Sequence, residues 1–167
     1  MTGPRARKGW RAAAAGLAFG LAAGPMTAGE APPVPEGVIV VRSHHDVATT
    51  LDRLERILEA KGITVALRWD HAARARGAGL ALRPTALLVF GNPRLGTRIM
   101  QGAQTAGIDM PLRALAWEDA EGRVWLGVTD PVWIARRHGA GEVPVAARMR
   151  AAVTGFIREA AAPAGRR

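Results

Sequence analysis

The chain has no cysteine and no tyrosine, and its only serine is Ser43. Lysine is nearly as scarce: Lys8 and Lys61 are the only two, and every other basic residue is arginine. Each absence removes a class of chemistry. Without thiols there is no disulfide scaffold, thiolate zinc site, cysteine nucleophile or lipoprotein anchor. The single serine does not sit in a Gly-x-Ser-x-Gly elbow, and no glycine-rich loop runs on into the Gly-Lys-Ser/Thr of a phosphate-binding loop. A long apolar run is also missing. The uncharged stretch from Ala12 to Ala23 is 12 residues long, whereas a helix crossing a bilayer needs about 20.

Charge of one sign is in excess, but less so than the total suggests. The formal net charge is +9, which on its face suggests a nucleic-acid partner. Four of the positive charges are Arg5, Arg7, Lys8 and Arg11, ahead of the apolar stretch. From Gly29 onward 19 basic residues face 14 acidic ones, an excess of 5. Five of those basic residues, Arg148, Arg150, Arg158, Arg166 and Arg167, lie near the C-terminus. The Ala/Arg/Gly-heavy usage reads as a genome-wide bias, and no nucleic-acid recognition module is present. Nucleic acid is therefore not an expected partner.

What is present at the N-terminus is the three-part layout of a secretory signal. A basic start leads into the apolar stretch, Gly24-Pro25 breaks it, and Met26-Thr27-Ala28 offers a cleavage point. Residues 1–28 are therefore expected to direct export to the periplasm or outside the cell, with cleavage near Ala28 or alternatively near Ala31. No stable membrane anchor is expected afterwards. Residues 29–36 are proline-rich and read as a stiff tether. One ordinary domain follows over 37–139, and residues 140–167 read as a C-terminal helix and basic tail. The exported part, about 139 residues, is long enough to bury a core without staples.

Within the domain, Val38 to Arg42 reads as a first strand. Asp46 suits the cap of a helix over Val47 to Ala60, with Val47, Leu51, Leu54 and Leu58 in one stripe, Asp52 paired with Arg56, and Gly62 ending it. Ile63, Val65, Leu67 and Trp69 alternate at strand period. Asp70 to Gly77 suggests one or two helical turns. Thr85 to Phe90 is continuously apolar and predicts a strand covered on both faces. Asn92 and Pro93 suit a helix start, with Leu95, Ile99, Met100 and Ala103 inward. Leu112–Glu118 and Val124–Val128 predict a hairpin across Asp119-Ala120-Glu121-Gly122. A short helix from Pro131 and a last helix from Pro144 complete the order β-α-β-(α)-β-α-β-β-α-α. On the last helix Val145, Met149, Val153, Phe156 and Ile157 share one face. The fold class is α+β: a mixed, largely antiparallel sheet of about five strands with helices packed against it.

Four segments in order resemble one family. They are Asp70-His71-Ala72-Ala73; Leu82-Arg83-Pro84-Thr85; Phe90-Gly91-Asn92-Pro93-Arg94-Leu95-Gly96-Thr97 on to Met100-Gln101; and Pro111-Leu112-Arg113 with Trp117-Glu118-Asp119, Gly122, Val124-Trp125-Leu126, Asp130-Pro131 and Arg137-His138. The likeness is to the domain-of-unknown-function family 302 and runs over roughly residues 37 to 139. It implies a compact bacterial α+β fold and assigns no reaction. Val128 departs from it, standing where members usually carry tyrosine.

The chemistry-bearing residues divide into a few constellations. Ser43 beside His44, His45 and Asp46 cannot form a triad, because nucleophile and base must converge from separated backbone; a capping turn is the simpler reading. The histidine supply is His44, His45, His71 and His138, with no H-x-x-x-H pair. Convergence of Asp70, His71 and His138 would be needed for a metal site, and no metal or cofactor is expected; acid–base work would need Asp70, Glu118, Asp119 or Asp130 paired with His71 or His138. Asp70, Glu118, Asp119 and Asp130 all lie at element ends, where carboxylates usually cap backbone. Gly91-Asn92-Pro93, with Arg83, Arg94 and Thr97 contributing donors, is a candidate anion or polar-ligand site at a helix start. Trp117 and Trp125 are expected as cross-strand neighbours and candidate stacking groups. The candidate ligand-binding set is thus His71, Arg83, Gly91, Asn92, Arg94, Thr97, Trp117, Trp125 and His138, with the pocket near His71, Asn92 and the tryptophan hairpin. The expectation is a non-enzymatic envelope module that binds a small ligand or a partner protein. The alternatives are an enzyme using Asp70/His71 or His138, and a structural homodimer subunit.

Overall fold

The structure, a computed structural model, describes residues 33–164. The expected signal segment, and the tether up to residue 32, lie outside the described residues.

Five strands form one sheet: β1 (Val38–Ser43), β2 (Thr64–Asp70), β3 (Thr85–Gly91), β4 (Leu112–Glu118) and β5 (Val124–Thr129). Their order across the sheet is β1-β5-β4-β3-β2, and every pairing is antiparallel. The helices are α1 (Val47–Ala60), α2 (His71–Gly77), α3 (Pro93–Gly102), α4 (Pro131–Arg137) and α5 (Pro144–Ala161), with a 3₁₀ turn over Gln104–Ile108 after α3. The α+β class and the element order expected from sequence are both present. A crossover through α1 is the reason no parallel pair forms. It carries the chain from one edge strand, β1, to the opposite edge, β2, so these two strands, which run the same way, are not neighbours.

Local chemistry accounts for the helix boundaries. Asp46 caps α1, its carboxylate accepting from Thr49 N–H at 2.7 Å. At the other end Gly62 takes φ +66°, Gly62 N–H donates to Glu59 O and Ile63 N–H to Leu58 O. That is the Schellman pattern, in which glycine avoids the steric cost of a left-handed residue. Asn92 Oδ1 caps α3 through Arg94 N–H at 2.9 Å, and Pro93 supplies a first helical residue whose missing N–H is not needed.

The core lies on one face of the sheet. Ala86, Leu88 and Phe90 of β3, Leu112, Ala114 and Ala116 of β4, and Val124, Leu126 and Val128 of β5 are buried there. They pack against Leu51, Leu54 and Leu58 of α1 and Val145, Met149, Val153 and Ile157 of α5. Thus α5 is a layer of the domain, and it is pinned at its C-terminal end. Arg53 Nε donates to Ala160 O at 2.7 Å, its Nη2 donates to Glu159 O, and His44 N–H donates to Ala161 O.

Two expectations about strands are corrected. β3 is not covered on both faces: burial alternates along it, with Leu87 and Val89 only half-buried among the described residues. The large helical stripes of α1 and α5 both fall on the opposite face, so among the described residues neither long helix covers this side of the sheet. In β2 the pairing register shifts between Val65 and Leu67. This bulge turns Leu67 and Trp69 to the open face, away from Val65. It also aims Arg68 at α1, where its guanidinium pairs with Asp52 at 2.5 Å and reaches Glu55 at 3.4 Å. The expected Asp52–Arg56 ion pair is therefore replaced, and Arg56 Nε donates to the Asp52 backbone carbonyl instead.

Candidate functional site

A groove of about 610 Å³ opens at the end of the sheet where β3 finishes. Phe90 and Gly91 form its floor, Leu95 and Met100 of α3 one wall, and Met149 and Phe156 of α5 the other; Met110 and Pro111 enter from the 3₁₀ side. Both phenylalanines and all three methionines of the described residues line this one groove. Its volume falls inside the range of about 300–1,000 Å³ typical of small-molecule sites. Methionine's unbranched, polarisable side chain lets such a wall adapt to a ligand. Gly91 keeps the floor low: a Cβ there would lie 3.2 Å from Pro111 Cβ.

Three of the expected ligand-site residues, Gly91, Asn92 and Thr97, border the groove. The N–H groups at the start of α3 are nevertheless committed. Arg94 N–H bonds Asn92 Oδ1, Leu95 N–H and Gly96 N–H bond Asn92 O, and Pro93 has none. The helix start spends its donors on its own cap, and the surface it offers a ligand is apolar.

The remaining candidates lie elsewhere. Arg83 precedes β3 and donates to Glu118 O at 3.2 Å, at the far end of that strand from Gly91, so it cannot act beside Arg94. His71 follows Asp70, which pairs in register with Ala86, again the far end. His138 belongs to the groove's end of the sheet, where its Nε2 donates to Asp109 Oδ2 at 2.8 Å and its Nδ1 lies 3.1 Å from Thr105 Oγ1. His71 and His138 are thus separated by the length of a strand, and the expected pocket joining His71, Asn92 and the tryptophan hairpin does not assemble. Among the described residues no three His, Asp or Glu side chains come together as a metal set.

Three of the four carboxylates considered for acid–base work, Asp70, Asp119 and Asp130, are occupied; Glu118 meets Arg83 only through its backbone carbonyl. Asp70 accepts from Ala73 N–H at 2.8 Å, capping α2. Asp130 accepts from Val132 N–H and pairs with Arg150. Asp109 faces Arg137 at 3.2 Å as well as His138. Asp119 accepts from Trp125 Nε1 and from Arg123 N–H and Nε. Burial opposes ionisation of Asp119, but these donors and the Arg123 charge outweigh it and hold the carboxyl well below its ordinary value. Ser43 Oγ meets Thr50 Oγ1 at 2.6 Å, a structural contact next to the Asp46 cap.

Trp117 and Trp125 are opposed across β4 and β5, as their spacing suggests. Both point to the open face, where the Trp117 ring lies over Gly127. Neither reaches the groove. The sequence pattern did not assemble the groove's own residues: Ile63 read as part of a strand, Met100 as an inward position of one helix, Met149 and Phe156 as one face of the last helix, and Met110 belonged to none of these readings. The signal that was available is the concentration of soft and aromatic side chains in segments that follow β3 and open α5.

A family model described as "Domain of unknown function DUF302" matches residues 39–160. The chain belongs to the DUF302 family. The match runs through most of α5, in keeping with that helix's place in the core. A DUF302 protein of known structure, described as "uncharacterized conserved protein DUF302 from Bacillus stearothermophilus", superposes with a TM-score of 0.66 at 18% identity, covering 75% of this chain and 99% of that one. At that identity the likeness concerns the fold alone. Curated relatives carry a further name. "Fluoride-specific ion channel FluC 1" of Brucella suis biovar 1 (strain 1330) is 45% identical over 130 residues, 77% of this chain and 51% of that protein. The protein of the same name from Brucella abortus biovar 1 (strain 9-941) is 45% identical over 130 residues, 48% of its length. The chain spans about half the length of the curated relatives it matches.

Proposed function

We propose that this DUF302 domain is an exported, non-enzymatic module that binds a small apolar ligand in the groove between α3, α5 and the end of β3. The observation that carries the reading is the lining: both phenylalanines and all three methionines of the described residues meet around one cavity of ligand size. Export rests on the N-terminal sequence pattern. Asp109 and Asp130, the carboxylates at the groove's end of the sheet, are committed to a cap and ion pairs, which favours binding over catalysis.

The test is titration with N-phenyl-1-naphthylamine, a neutral apolar fluorophore. Saturable binding of one probe per chain is expected. Ala152→Trp, which introduces a large ring from an exposed position of α5 on the groove wall, is expected to abolish it while leaving the circular dichroism unchanged. Absence of saturable binding by the parent domain would end the reading.

A second reading is that of a partner-binding module, and the curated relatives favour it. They are named as fluoride channels, yet the part matching this chain is only about half of each. No helix among the described residues is long and apolar enough to cross a membrane. In this reading the domain accompanies a channel, and the open sheet face is the contact, either with that partner or with a second copy of the domain. Sedimentation velocity of the domain alone, then with a detergent-solubilised fluoride channel, separates the cases. A monomer that ignores the channel would dispose of this second reading.

A further inference from the structure

The groove is apolar except at its rim, and the rim carries one charge. Lys61, just past the end of α1, borders the groove, and no aspartate or glutamate does. Lys61 is the only lysine among the described residues. It takes part in none of the ion pairs of the described residues. A mobile ammonium beside an acid-free hydrophobic slot discriminates between head groups. It attracts an anion, leaves a neutral group indifferent, and repels a cation.

We infer that the groove takes a single-chain amphiphile with an anionic head group, its alkyl chain among Phe90, Met100, Met149 and Phe156 and its carboxylate at Lys61. The inference rests on the reading of the groove as an apolar ligand site. It adds the head group's sign and the residue that reads it. Lysine suits the task because a flexible stem lets a point charge follow a head group that projects to varying extents from the slot. Thr64 and Asn92, also on the border, place neutral polar groups beside the same exit.

The experiment is calorimetric titration of the domain with dodecanoate, dodecanol and dodecyltrimethylammonium, each below its micelle concentration. Dodecanoate is expected to bind about tenfold more tightly than dodecanol, the scale of one charge-assisted hydrogen bond, and the cationic amphiphile more weakly than either. Lys61→Ala should bring dodecanoate to the level of dodecanol without changing dodecanol itself, and Lys61→Arg should restore most of the preference. Ala152→Trp and Thr97→Trp, both at exposed groove positions, should weaken the parent's affinity for all three. If the three bind equally, or if Lys61→Ala leaves the ratio of dodecanoate to dodecanol unchanged, the inference is overturned while the apolar site stands. If none binds saturably, or both tryptophan variants bind like the parent, the underlying reading of the groove fails with it.

Discussion

Asp119 shows how a single side chain holds a turn. Its carboxylate ties the loop to β5 through Arg123 N–H at 2.8 Å and to the open sheet face through Trp125 Nε1 at 2.8 Å. Asp119→Asn is expected to destabilise the domain by about 2 kcal/mol, the loss of charge-assisted bonds, read as a lower urea midpoint. The pH dependence follows from the direction of the shift. A carboxyl held below its ordinary value in the fold binds protons more readily when unfolded, so its stabilisation is full above the unfolded value and is lost as pH falls through the folded one. The gap between parent and Asp119→Asn should therefore narrow on acidification below the usual carboxylate range. Gly37 is a second such position. It sits at φ +82° with the Trp133 ring where a Cβ would go, so Gly37→Ala should cost about 1–3 kcal/mol in chemical denaturation. The caps at Asp46, Asn92 and Gly62 were legible in the sequence because they depend on neighbours within a few residues. The Arg68–Asp52 pair was not, because it depends on a bulge in another element.

At the scale of elements, α1 and α5 are joined by Arg53. Its guanidinium donates to the carbonyls of Glu159, Ala160 and Ala162, which as a helix end leaves its last carbonyls without intrahelical partners. A cation there also meets the negative end of the helix. Arg53→Ala should destabilise by about 1–2 kcal/mol and raise hydrogen exchange in the last turn of α5 before the rest of the helix. The boundaries of α1 matched expectation because cap, stripe and stop signal agree there; α3 starts where its cap and proline predict, but Ala103, expected inward on it, is already extended backbone at the C-cap. β2 differed because alternation alone does not reveal a bulge: Ile63, Val65, Leu67 and Trp69 keep the strand period through the point where the side chains change face.

For the molecule as a whole, the sheet has one covered side and one open side. Leu88→Ala, on the covered side, should cost about 3 kcal/mol through lost contacts and a cavity. Val89→Thr, its neighbour on the open side, should cost less than about 1 kcal/mol in the same denaturation assay; a large loss there would mean that the open face is covered in solution. The elements, their order and the α+β class follow from local periodicity and caps, which act over one turn or one pair of residues. The absence of thiol chemistry is equally a matter of composition. Only the tertiary structure decided which residues meet. It set His71 and His138 at opposite ends of the sheet, and it committed the donors of Asn92-Pro93 to a cap. It also brought Lys61, Phe90, Met100, Met149 and Phe156 from four elements to one groove. Pairing order and crossover direction determine those meetings, and neither is encoded in a short window of sequence.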